Sequence, residues 1–283
     1  MKADEVMSSV VAELIATIEA GAGEWVMPWT GVHARLPYNH TTTIGYRGGN
    51  VVALWMTQMA RAYPTAAWAT YKQWASIECQ VRKGERGVHL VKWSQIERVD
   101  QSGELRSMMI PNAFVVFNAA QVDGLPADPP PAPRVLEHYE FTDMAFRTGA
   151  KVVPGRPAYS PALDVVMMPP PDAFNSDDDW LSTWAHELAH WTGHPSRLNR
   201  TFGKRFGDET YAAEELVAEL SSAFTCAEYG IVPGVRSDHA SYLANWITML
   251  KADASILWTV ASKAQAATDH LFSYREVSCP VAS

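Results

Sequence analysis

Cysteine is scarce in this chain. Three residues (Cys79, Cys226, Cys279) are odd in number and far apart among 283, so no disulfide framework is indicated and the expected setting is a reducing cytoplasm. Long apolar runs are missing too. None approaches the ~18 residues of a membrane helix. The opening stretch MKADEVMSSVVAELIATIEA carries acids among its apolar positions, which reads as an amphipathic helix with neither a secretion signal nor a membrane span. Charged residues make up only 19% against 47% hydrophobic, which excludes a largely disordered chain. No internal repeat is present. No helix-turn-helix or zinc-finger pattern occurs either, so major-groove reading of duplex DNA has no support.

A chain of this length forms one large domain or two ordinary ones. The segment LPADPPPAPR (125–134) has five prolines in ten residues, the composition of a stiff extended connector. The expected organisation is therefore a domain at 1–125, a linker at 126–135 and a domain at 136–283. Charge divides the same way. Residues 1–125 hold 11 Lys and Arg against 11 Asp and Glu, whereas 126–283 hold 12 against 20 and carry the whole net charge of -8. An asymmetry of this kind hints at two jobs.

The expected fold class is α+β in two domains. The first half reads as helices near 4–20, 50–63 and 70–77, followed by GVHLVKWSQIERVD and MMIPNAFVVFNAAQV as strands of a hairpin around QSGE. The second reads as mainly helical with a small sheet. It has a strand in LDVVMM, a helix opened by a Ser176–Asp179 capping box, a helix from about Glu209 to Tyr229, and a helical stretch from Asp238 to about Leu271 broken near Asp253.

The sharpest motif is His186-Glu187-Leu188-Ala189-His190. Histidines at i and i+4 share a helix face and can reach one metal ion at ~2.0–2.1 Å. A glutamate after the first can take the proton of a metal-activated water as it attacks a carbonyl. With this chain's own composition, roughly 0.02 such patterns are expected by chance. Trp180, Trp184, Leu188 and Trp191 mark the opposite, core-facing side. A two-histidine site needs a third protein ligand, and TYAAEELVAELSSAF supplies candidates. Glu215 is the preferred ligand and Glu219 the carboxylate that orients a ligand histidine through its other nitrogen. The reverse assignment and Glu214 stay open. His194 precedes Pro195, which pulls it out of helical conformation, and it reads as structural or as a support to a ligand, not as a ligand itself. Zinc is the expected metal, with manganese or another divalent ion also compatible with such donors.

Residues 68–93 (WATYKQWASIECQVRKGERGVHLVKW) place Lys72, Arg82, Lys83, Arg86 and Lys92 among Trp68, Tyr71, Trp74 and Trp93. Cations that follow phosphates and rings that stack on bases are what tolerant single-strand binding requires. A solvated basic loop with its tryptophans in a core is the plainer alternative.

HELAHWTGHPSRLNR (186–200) and GDETYAAEELVAEL (207–220) resemble the ArdC-type antirestriction proteins of conjugative plasmids. So do PYN (37–39), WATYKQW (68–74), VRKGERGVHLVKW (81–93) and VFNAAQVDGL (116–125) in the first half. The resemblance implies a single-stranded-DNA-binding domain, a zincin-like metallopeptidase domain and protection of incoming plasmid DNA from host restriction. It implies His186, His190 and a glutamate of EELVAEL as metal ligands, with Glu187 as the catalytic carboxylate. It favours the nucleic-acid reading of 68–93, with a restriction-system protein as a further partner and no membrane role. Two other readings compete: a non-catalytic single-strand shield whose metal site is structural, and an effector-type metalloprotease without DNA binding.

Overall fold

The computed structural model describes residues 2–20, 35–99, 104–125, 136–201, 209–232, 234 and 239–276. The chain divides into two compact units, Met1–Trp25 with Pro37–Pro133, and Val26–Leu36 with Arg134–Ser283. The proline-rich connector at 126–135 and the tip of the QSGE turn lie outside the described residues, as does Cys279. Both units mix helices and strands, so the architecture is α+β in two domains.

The first unit opens with helix α1 (Ala3–Ala20). Its Val6, Val10, Val11 and Leu14 recur at helical spacing and are buried. Strand β1 (Tyr38–Asn39) and helix α2 (Gly49–Ala60) follow. Nine of the twelve α2 residues are buried, as expected of a helix that is apolar nearly all round. Next come β2 (Ala67–Ala69), α3 (Tyr71–Ser76), β3 (Gln80–Val81), the long strands β4 (Val88–Val99) and β5 (Leu105–Asn118), and β6 (Val122–Asp123). The four-stranded sheet has the order β1-β2-β5-β4, with β1 parallel to β2 and the other pairs antiparallel. Strands β3 and β6 pair separately.

Local chemistry explains several of these choices. Thr70 caps α3 in a full capping box with Gln73, a signal the sequence reading did not use. β4 is an edge strand, and Asn50 closes part of that edge. Its side chain accepts from Val91 N at 3.0 Å and donates to Val91 O at 2.8 Å, standing in for a neighbouring strand. Val91 and its partner Ala113 are therefore a non-hydrogen-bonded pair, and by alternation so are Trp93 and Pro111. Pro111 consequently points its missing N–H away from β4, to a flank where β2 covers only 117 and 118. That placement lets a proline sit inside a long strand.

The second unit contains α4 (His138–Arg147), then β7 (Lys151–Pro154), β8 (Ala158–Ser160) and β9 (Val165–Met168) in a sheet ordered β7-β9-β8. Helices α5 (Asp177–Trp191), α6 (Glu209–Glu228), α7 (His239–Ala252) and α8 (Ser255–Phe272) complete it. Phe141, Met144, Trp184, Leu188, Trp191, Tyr229 and Leu271 form its core, with Trp180 packed against them. Cys226 is buried in the same cluster. Gly230 ends α6 at φ 64, and Ile231 N bonds back to Cys226 O, the six-to-one closure of a left-handed C-terminal cap.

One local expectation is corrected. Ser176 does cap α5 by accepting from Asp179 N at 3.1 Å, but the Asp179 side chain does not complete a capping box. It accepts from Gly234 N at 2.8 Å, and Asp178 accepts from Val232 N at 3.1 Å. These carboxylates tie down the chain after α6 instead of reaching back to their own helix.

Candidate metal centre and nucleic-acid face

α5 presents His186 and His190 one turn apart, and both are buried, as is Glu187. The sequence pattern predicts a buried face and an armed face. The structure buries the whole stretch from Leu181 to Trp191, because α6 covers the armed side. Contacts along the two helices run in opposite directions: Ser182 with Ser222, His186 with Glu219, His190 with Glu214. The helices are thus antiparallel. That arrangement brings two acids of α6 opposite each histidine.

The three glutamates separate by what they face. Glu215 lies 3.6 Å from Nε2 of His186 and 3.6 Å from Nε2 of His190. The two Nε2 atoms are 3.2 Å apart. Ligands at ~2.05 Å around a tetrahedral ion are separated by ~3.3 Å, so the two Nε2 atoms are spaced as two corners of such a site, and Glu215 turns one oxygen to each ring, Oε2 to His186 and Oε1 to His190. Glu219 instead faces Nδ1 of His186 at 3.6 Å, and Glu214 faces Nδ1 of His190 at 3.3 Å. Each Nδ1 thus faces a carboxylate of its own, while both Nε2 atoms and the Glu215 oxygens converge on one point. Electron-rich atoms in that arrangement fit a cation. His186, His190 and Glu215 are the group among the described residues whose donor atoms fall within reach of one ion.

Electrostatics agree with the geometry. Burial pushes the Glu215 carboxyl upward, but the hydrogen bond from His186 and the two nearby imidazoles outweigh it and hold the group at about 2. Burial also acts against ionisation of Glu214, and its bonds to His190 and Arg200 reverse the balance, lowering its pKa. Arg200 was not singled out from the sequence. It donates to both Glu214 oxygens, to Thr192 Oγ1 at 2.7 Å and to Ala189 O at 2.6 Å. It thereby also satisfies a carbonyl at the end of α5. The signal that could have found it is a cation just past the helix that carries both histidines, with two adjacent glutamates following. His194 bonds Ser196 at 2.8 Å and stands apart from the donor cluster. Nearby, Arg197 lies 3.8 Å from the centre of the Trp191 ring and bonds Asp164, fastening the end of α5 to the small sheet.

In the first unit the expected DNA-contacting residues divide sharply. Trp68 and Trp74 are fully buried, and Trp74 Nε1 donates to Phe117 O at 3.1 Å. Neither ring can serve as a stacking platform. The plainer alternative holds for both, because a large apolar ring contributes more inside a small core than on its surface. Arg82 is occupied as well: it pairs with Glu85 at 2.9 Å and Asp123 at 3.4 Å, and it donates to Ala120 O. Tyr71, Lys72, Lys83, Arg86 and Lys92 are exposed. Trp93, which follows Lys92, is also half exposed.

A helix that offers two donors one turn apart and receives a third from its antiparallel neighbour places the second unit in the zincin-like class. The family model for a zincin-like metallopeptidase matches residues 140–263, and that for the N-terminal domain of anti-restriction factor ArdC matches residues 4–117. The metal-free crystal structure of the antirestriction ArdC protein from plasmid R388 is similar over 95% of this chain and 97% of that one, with a TM-score of 0.80 and 37% identity. Its Mn(II)-bound structure is similar over 96% and 99%, with a TM-score of 0.80 and 35% identity. Among curated proteins, y4eC of Sinorhizobium fredii is 35% identical over 94% of this chain and 91% of its own length. DNA primase TraC of Escherichia coli is 35% identical over 94% of this chain, which spans 20% of TraC. The chain belongs to the ArdC family of antirestriction proteins.

Proposed function

We propose that this protein protects incoming conjugative plasmid DNA from host restriction, binding single-stranded DNA through its first unit and carrying a metal-dependent peptidase-type site in its second. The observation that carries the enzymatic half is the convergence of His186, His190 and Glu215, with the two Nε2 atoms 3.2 Å apart and one Glu215 oxygen 3.6 Å from each of them. These three side chains would hold a divalent cation, zinc or manganese. Such an ion supplies Lewis acidity, polarising a carbonyl and lowering the pKa of a nearby water to about 7. Glu187 accepts the proton of the attacking water and delivers it to the departing amine. Glu219 and Glu214 orient the two imidazoles through their Nδ1 atoms. The substrate in this reading is a restriction-system protein in the cytoplasm.

The single-strand reading draws on the exposed ring of Tyr71 and the exposed cations Lys72, Lys83, Arg86 and Lys92. Glu187→Gln separates the enzymatic reading from a non-catalytic shield. It should leave metal content and DNA affinity unchanged while abolishing protection of a transferred plasmid in a restricting recipient. Undiminished protection by this variant would overturn the peptidase role and leave the shield.

A further inference from the structure

We propose that a cleft in the first unit seats one unstacked base of the bound strand, and that it prefers cytosine and adenine, which carry an exocyclic amine at C4 or C6, over thymine. This deepens the single-strand reading above and rests on it. The cleft has a volume of about 470 Å³, with Tyr71, Val81 and Phe117 as its apolar lining and Gln80, Lys83 and Asp123 among its polar groups. Its size falls within the range of small-ligand pockets.

The ring at its mouth is preorganised. Tyr71 opens α3 directly after the Thr70 cap, is 49% exposed, and has its hydroxyl held by Gln80 Nε2 at 2.8 Å. A stacking surface fixed before binding loses little entropy when a base arrives. The same Gln80 nitrogen also donates to Val81 O at 3.0 Å. Both amide hydrogens are therefore engaged, and the carbonyl Oε1 is left as an acceptor. Directly across the ladder, Gln80 pairs with Asp123, so the two side chains are cross-strand neighbours. Asp123 accepts from Arg82 through Oδ1 at 3.4 Å, and its second oxygen is a further acceptor.

The base edge thus meets two acceptors beside an aromatic face. Cytosine N4 and adenine N6 donate to such groups, whereas thymine offers O4 at the equivalent place. Arg82, engaged by Glu85 and Ala120, belongs to the wall and offsets the carboxylates there. Lys83, and Lys72 beside Tyr71 on α3, are the exposed cations left for phosphates.

The test uses the full chain and fluorescein-labelled oligo(dC) and oligo(dT) of equal length, read by anisotropy at low salt. Oligo(dC) should bind about tenfold more tightly than oligo(dT). Asp123→Asn should remove most of that preference. Tyr71→Ala should weaken both oligomers about tenfold, and Tyr71→Phe, which keeps the ring, should restore most of the loss. Equal affinities in the parent protein, or full affinity in Tyr71→Ala, would overturn the base seat while the single-strand reading stands. No binding of either oligomer would remove both. Free dCMP binding as tightly as the oligomer would make the cleft a mononucleotide site and overturn its assignment to a strand.

Discussion

Arg200 and Glu214 form a two-point ion pair, at 3.0 Å from Nε and 2.8 Å from Nη2, inside the second unit. Both side chains are only 6% exposed, and Glu214 in turn faces Nδ1 of His190. The pair couples the Nδ1 side of the His190 imidazole to the end of α5, where Arg200 also bonds Ala189 O and Thr192.

Removing one partner strands a buried charge, which costs about 3–5 kcal/mol. Arg200→Ala should therefore lower the midpoint of urea unfolding strongly. Glu214→Gln keeps the shape but loses the charge, and it should weaken Mn(II) or Zn(II) binding about 10–100-fold by calorimetry. A variant that unfolds more easily yet binds metal with parental affinity would show the pair to be structural alone.

The donor assignment separates neighbours on one helix. Glu215→Ala should abolish stoichiometric metal binding, because that carboxylate faces both Nε2 atoms. Glu219→Ala removes only the group opposite Nδ1 of His186, and it should reduce affinity about 10–100-fold. Isothermal titration of the two variants checks the order, and the opposite order would exchange the roles.

Acid should destabilise the metal-free protein through these same acids. Glu215 is held at about 2 against a usual 4.5, and Glu214 is lowered too. A carboxylate depressed in the folded state contributes stability that is fully present above its unfolded value and lost as pH falls through its folded one. Stability in the presence of chelator should therefore decline from about pH 4.5 toward pH 2. Glu215→Gln should flatten that slope in denaturant titrations.

Trp68 and Trp74 are core residues of the first unit. Alanine at either position should cost about 3–5 kcal/mol of stability. Trp93→Ala, at a half-exposed site, should stay within about 0.5 kcal/mol of the parent. Chemical unfolding followed by circular dichroism distinguishes the two cases. Comparable losses at all three would contradict the burial pattern.

Much of the architecture was legible in the residues. The 3.6-residue periodicity of α1 and of α5, the Gly230 stop and the break at Asp253 all appear where their local chemistry places them. Local signals of this kind act over a few residues and survive without a fold around them. The capping box at Ser176 failed for the opposite reason. A carboxylate three residues into a helix can reach back or reach out, and the chain near Gly234 decided the matter.

The same distinction holds at the sites. Sequence by itself determined that His186 and His190 share one face, because helical spacing requires it, and that the chain divides its charge between halves. Which of three glutamates faces the Nε2 atoms depends on how α6 is rotated against α5, and only packing sets that rotation. The aromatic residues of 68–93 look alike as letters. Tertiary structure buried Trp68 and Trp74 and left Tyr71 outside, because burial of a ring is decided by the surface it meets and not by its neighbours along the chain.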